Sequence, residues 1–229
     1  MISKTLLIVA IVAGVIVAGV TAAIAIPANG PANNQDGQIR KQLMSPTIAS
    51  ASALGSNDAK VTIVEFGDYQ CTWCYRWHEG TKDTLVADYV DTGKVRFLFK
   101  DYPINDLSDR ASSLAAEGSY CAADQGKYWE YHDTVYSNWD GENTGWVTRA
   151  SIERFAEEAG VSDMGTFSDC LDSGKYGNTV RANYNLARTV GLDATPSFIV
   201  LIDEETPQLI RGAHPYSTFE RVINEAYVS

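Results

Sequence analysis

The chain is poor in the residues that build metal and cofactor sites. Its 229 residues include four cysteines and three histidines, and the histidines, at positions 78, 132 and 214, are scattered. Cys71 and Cys74 are close in sequence, but Cys121 and Cys170 are far apart, so the second close pair of a four-cysteine zinc site is missing. No metal site is expected. Neither a phosphate loop nor a flavin motif is present, which leaves no bound cofactor to expect, and there is no internal repeat. Positive charge is also scarce. Lys and Arg number 18 against 29 Asp and Glu, for a net charge of -11, a balance that repels nucleic acid.

Long apolar runs are missing too, with one exception. Residues 1–27 hold one basic residue, Lys4, no acidic residue, and an apolar stretch from Leu6 to Ile26 that ends at Pro27. The stretch is long enough to cross a bilayer as a helix, and Lys4 before it places the amino terminus in the cytoplasm. A single-pass anchor with the remaining chain outside is the expectation. The alternative is a signal segment cleaved after the A-x-A stretch Ala23-Ile24-Ala25, which releases a secreted protein. From 28 to 57 the sequence is rich in Ala, Ser, Asn, Gln and Gly and reads as a flexible linker. The remaining 58–229 suits one domain.

Within that domain the apolar pattern changes period twice. Val61-Thr62-Ile63-Val64-Glu65-Phe66 reads as a strand covered on both faces, interrupted by Glu65. A helix is expected from Cys71 to about Val90, then a second strand at Val95-Phe99, which a right-handed crossover makes parallel to the first. Helical spacing follows from about 106 to 190, including Val180/Tyr184/Ala187 as one buried face, with no convincing strand. Phe198-Ile202 and Leu209-Ile210 then pattern as a hairpin. Ser217-Thr218-Phe219-Glu220 has capping-box spacing for a final helix. The predicted order, β-α-β, helical block, β-β-α, is that of an α/β thioredoxin fold with an all-helical insertion.

The chemistry concentrates at Cys71-Thr72-Trp73-Cys74. Two intervening residues at a helix start bring both sulfurs within reach of a disulfide while leaving Cys71 outermost. Unpaired N–H groups and the helix dipole favour the Cys71 thiolate, the nucleophile and the good leaving group. Cys74, one turn in, is placed to attack a mixed disulfide and release the partner. The spacing alone leaves a structural disulfide or half a zinc site open. Glu65 in a doubly covered strand is expected to have a raised pKa; a solvated, edge-facing carboxylate is the other reading. Trp73 could offer an apolar contact to unfolded chains or pack on its own loop. His78 suggests a supporting polar contact, and Gln125–Asp133, with Tyr128, Trp129 and Tyr131, suggests insertion core.

Three tracts carry a resemblance. Val61 to Cys71, Gln125 to Asp133, and Ala194-Thr195-Pro196-Ser197-Phe198 together resemble the DsbA-like thiol-disulfide oxidoreductases of the thioredoxin superfamily, in particular the anchored or exported BdbD-type branch. The likeness runs from about Leu54 to Tyr227. It implies catalysis by Cys71 and Cys74, with Glu65 as the buried acid that relays a proton to or from the resolving thiol. It further implies a cis bond before Pro196 and a substrate contact through the backbone of Thr195, flanked by Thr72 and Trp73. In such proteins Cys121 and Cys170 hold a structural disulfide, and export favours their oxidation. The intervening dipeptide usually begins with proline; here Thr72 stands in that place, so the strength of the oxidant does not carry over.

The resulting expectation is disulfide exchange with exported thiol-containing proteins, as a donor reoxidised by a membrane redox partner. A reductase or isomerase would use the same residues. A peptide-binding chaperone with a merely structural C-x-x-C is the reading from another class.

Overall fold

The computed structural model describes residues 22–23, 34–48, 52–202 and 207–228. Its sheet contains β1 (Ala22–Ala23), β2 (Ala53–Leu54), β3 (Val61–Gly67), β4 (Val95–Asp101), β5 (Ser197–Ile202) and β6 (Gln208–Arg211), in the spatial order β1-β6-β5-β3-β4-β2. β3 is central and every residue in it is buried. It pairs parallel with β4 and antiparallel with β5, and β5 pairs antiparallel with β6. The continuous β-branched run 61–64 produces this position, because a strand with helices on both faces has no polar side to alternate with.

The β3–β4 crossover is one long helix, α2. It runs through Thr72–Trp77, a π-helical stretch at His78–Lys82, Asp83–Leu85, and a second π-helical stretch at Val86–Val90. Trp77, Leu85, Tyr89 and Val90 face the sheet beside Ile63, Phe97 and Phe198. After β4 come five helices: α3 (Ala111–Ala123), α4 (Tyr128–Ser137), α5 (Arg149–Glu158), α6 (Met164–Asp172) and α7 (Gly177–Thr189). They enclose their own core of Tyr120, Tyr131, Val135, Ile152, Phe155 and Phe167. Gly118 lets α3 lie against the Tyr131 ring, which a β-carbon there would strike. Cys121 and Cys170 are disulfide-bonded, with 5.9 Å between their α-carbons, tying α3 to α6. The insertion is fastened to the sheet where the Tyr120 hydroxyl donates to Asp101 at the end of β4, and Asn183 of α7 donates to Tyr120 at 2.9 Å. The thioredoxin fold with its helical insertion is therefore present as predicted.

Three expectations need correction. The segment 28–57 is not structureless throughout: it contains a mostly polar helix, α1 (Asn34–Met44), which buries Leu43 against Val64, Phe66 and Leu98, while β2 pairs with β4. Among the described side chains, Ile39, Leu43 and Met44 anchor that helix, a stripe too short for a sustained period to signal it. The terminal helix α8 (Tyr216–Val228) begins before the expected cap Ser217, since Pro215 opens the turn and its carbonyl accepts the Thr218 N–H at 2.9 Å. Tyr184, expected inside, is 37% exposed and packs on Tyr102 at 5.2 Å instead. The expected membrane span lies outside the described residues apart from Ala22–Ala23, which pair with β6. No helix among the described residues is long and apolar enough to cross a membrane.

Candidate active site

The site forms where β3 ends and α2 begins. Gly67-Asp68-Tyr69-Gln70 turns the chain, and Cys71, in extended conformation, is the N-cap residue of α2. Asp68 organises this turn. Its carboxylate accepts the N–H of Gln70 at 2.9 Å and that of Asn105 at 2.8 Å, its carbonyl accepts the Cys71 N–H at 3.0 Å, and its own N–H lies 3.5 Å from Cys74 Sγ. Burial raises the Asp68 carboxyl to about 7. Sequence reasoning passed over Asp68, although an acid three residues before a helix-opening cysteine could have drawn notice as a turn former.

Cys71 and Cys74 are both free thiols, the dithiol state. Cys74 is fully enclosed and Cys71 is 5% exposed, so the outer thiol is itself largely covered. The Thr195–Pro196 bond is cis, and the Thr195 carbonyl oxygen lies 3.5 Å from Cys71 Sγ. The Cys71 thiol is lowered to about 6. A hydrogen bond from Cys74 is the largest cause; burial opposes it, and Thr195 and the N–H groups of Cys74 and Trp73 reinforce it. Cys74 goes the other way, pushed well above the ordinary thiol value by burial and by the Cys71 and Glu65 charges. One helix turn thus holds an acidic thiol and a reluctant one, and the contact between the two sulfurs contributes more to the acidity of Cys71 than the N–H groups of the helix start.

Glu65 is buried in β3, which excludes the solvated, edge-facing alternative. Burial lifts its carboxyl to about 8, against a lowering effect from Lys82. Lys82 is buried and holds Asp133 at 2.8 Å. Lys82 continues the buried face of Cys74, Trp77, His78 and Thr81, and its charged side chain keeps it out of the apolar pattern by which that face is read from sequence. His78 makes the supporting contacts expected of it, stacking on Tyr136 at 4.6 Å with Nε2 3.8 Å from Asp133. Burial holds its imidazole down to about 3. His78, His132 and Asp133 bring three potential metal-binding atoms within 4.8 Å of one another, a grouping the sequence did not foretell. The Lys82 ammonium already supplies the positive charge at Asp133. Tyr128 and Tyr131 are buried in the insertion core, as expected of that tract.

Thr72 and Trp73 stand at the surface beside the sulfurs. Trp73 is 55% exposed with the Arg76 guanidinium 4.7 Å above its ring. The Thr72 N–H donates to Glu142 Oε2 at 3.0 Å.

An acidic thiol at a helix start, a buried partner thiol, a buried acid beneath both and a cis-proline loop across from them define, on this fold, a DsbA-like thiol-disulfide oxidoreductase. The thioredoxin family pattern matches residues 49–225, and the chain belongs to that family. It is similar to disulfide bond formation protein D of Bacillus subtilis (strain 168), with 27% identity over 155 residues, covering 68% of this chain and 69% of that one. Among solved structures it resembles oxidised BdbD from Bacillus subtilis, with a TM-score of 0.69, 24% identity, and coverage of 81% of this chain and 97% of that one. It also resembles alpha-DsbA1 from Wolbachia pipientis, with a TM-score of 0.66, 22% identity, and coverage of 77% and 90%.

Proposed function

We propose that the protein donates its Cys71-Cys74 disulfide to thiols of exported proteins and is reoxidised by a membrane redox partner. The observation that carries this reading is the split between the two thiols, about 6 at Cys71 and far higher at Cys74. A stabilised thiolate stabilises the reduced enzyme, which makes the disulfide a strong oxidant.

The steps follow from the same geometry. A client thiolate attacks Cys71 Sγ, the Cys71–Cys74 bond breaks, and Cys74 departs with the electron pair. Because the Cys74 thiolate is disfavoured, it needs a proton as it leaves; Glu65, protonated up to about 8 and coupled to Cys74, is the donor. A second client thiolate then attacks the client sulfur of the mixed disulfide, and Cys71 leaves as a stable thiolate. The client gains a disulfide and the enzyme two electrons, which a membrane oxidant of the disulfide or quinone class removes. The exposed Trp73 face and the Thr195 backbone are the client contacts; main-chain pairing there would suit many sequences. The N-terminal apolar segment would keep the domain outside the membrane and near that oxidant.

The test is the reduction potential of the Cys71-Cys74 pair in glutathione buffers, read by tryptophan fluorescence. A value near the oxidising end of the known range, about -120 mV, supports donation; one near -270 mV reverses the direction to reductase or isomerase.

A further inference from the structure

The loop between α4 and α5 holds the active-site turn from both sides of Cys71. Trp139 Nε1 donates to the Gln70 carbonyl, just before the cysteine, at 3.1 Å. The Trp139 ring stacks on Tyr75 at 4.5 Å and 6°. Just after the cysteine, Glu142 accepts the Thr72 N–H. The loop is itself braced: Trp146 Nε1 donates to the Gly141 carbonyl at 2.8 Å, and Thr144 Oγ1 donates to the Asp140 carbonyl at 2.6 Å. Glu142 is therefore presented from a prepared position.

The first turn of α2 contains no acidic residue of its own. Its leading N–H groups are divided, with those of Trp73 and Cys74 directed to the Cys71 sulfur and that of Thr72 to a carboxylate 70 residues away. A carboxylate at a helix start stabilises the helix. Beside a thiolate it also opposes the second negative charge. The other titratable groups facing Cys71 are Cys74, Glu65 and Asp68. Burial raises all three and so favours their neutral forms beside Cys71, whereas Glu142 is an exposed carboxylate side chain held on the Thr72 N–H.

We infer that Glu142 is a positioning residue of the helical insertion that restrains the acidity of Cys71 through the Thr72 N–H, and so sets the oxidising strength of the site. A proline at 72 would have no N–H to offer; the threonine makes the contact available. The inference rests on Cys71 being the attacking thiol and deepens that reading by assigning part of its control to the insertion.

The experiment is a titration of Cys71 by thiolate absorbance near 240 nm in the full chain, with Glu142→Gln, Thr72→Pro and the double variant. Glutamine keeps an oxygen acceptor and removes the charge. For charges about one residue apart in a water-like dielectric, the midpoint should fall by about half a pH unit in Glu142→Gln. The wild-type midpoint should approach the variant value as salt is raised to 1 M. In the Thr72→Pro background, Glu142→Gln should add little. Equal midpoints in wild type and Glu142→Gln, a rise in the variant, or an undiminished shift in the proline background would overturn the inference. A wild-type midpoint near the ordinary thiol value would count against the proposed function instead, and the difference between wild type and variant would still decide the role of Glu142.

Discussion

The two cysteine pairs sit at opposite ends of their helices, and that difference accounts for much of their behaviour. Cys71 caps the start of α2, where free N–H groups face its sulfur. Cys121 and Cys170 lie in the last turns of α3 and α6, at the negative ends of the helix dipoles, and Asp124 comes within 3.9 Å of the Cys170 sulfur. Both regions are buried, so enclosure alone does not make a disulfide inert. What separates them is whether the surroundings stabilise a departing thiolate. The insertion pair offers an attacking thiol no good leaving group; the sheet-end pair offers one, beside a buried Glu65 whose carboxyl is raised to about 8.

The sharpest way to break this comparison is to remove the leaving group. Cys71→Ser should reduce peptide-thiol oxidation by at least about a thousandfold, the loss expected when a catalytic nucleophile is removed. Cys74→Ala should accumulate client mixed disulfides on a non-reducing gel. Retained oxidase activity in Cys71→Ser would undo the assignment of the two pairs. Replacing Cys121 and Cys170 together by alanine should instead cost up to about 4 kcal/mol in urea unfolding, from the roughly 50-residue loop they close, while exchange rates change less than about twofold. A large rate loss in the folded double variant would show that the pairs are not separate in function.

Glu65→Gln sharpens the contrast from the other side. An acid lifted from 4.5 to about 8 by burial binds more protons folded than unfolded. Its burden on stability is therefore absent below about pH 4.5, grows as pH rises through the window, and is full above about pH 8. The variant should slow exchange and yet gain on the order of 3 kcal/mol at pH 7, a gain that vanishes near pH 4. Equal urea midpoints for the two proteins at pH 4 and pH 7 would contradict a buried, proton-holding Glu65. The smallest effect is in the potential itself. Its slope should change from about 59 to about 30 mV per pH unit as Cys71 ionises near pH 6, and a straight line from pH 5 to 8 would place that ionisation elsewhere.

Much of this site is written in short stretches of sequence. The run 61–66, the C-x-x-C at a helix start and the Thr195-Pro196 step are each local, and resemblance joined them. The Cys121–Cys170 bridge also came from resemblance, since the spacing of two distant cysteines fixes no pairing. What escaped has its cause at a distance. Asp68 works through Asn105, Thr72 through Glu142, and Lys82 through Asp133, and none of these partners leaves a periodic signal. The helix at Asn34–Met44 escaped for a related reason: it is polar except where Ile39, Leu43 and Met44 meet the sheet, too narrow a stripe to be read without knowing what it covers.

The π-helical stretch at His78–Lys82 gives α2 a phase as well as a path. A residue advances a regular helix by about 100°, and a π turn accommodates one more residue without turning the rod that far. Deleting one residue between 78 and 82 would remove the extra residue and leave the phase of the second half nearly unchanged, whereas forcing all five residues into a uniform α-helix would rotate it by roughly a quarter of a revolution. Leu85, Tyr89 and Val90 would then swing off the sheet, and Lys82 would leave the buried side where it faces Glu65. The irregularity works as a phase adjuster, letting the sulfur end and the core-packing end of one helix each point where they must.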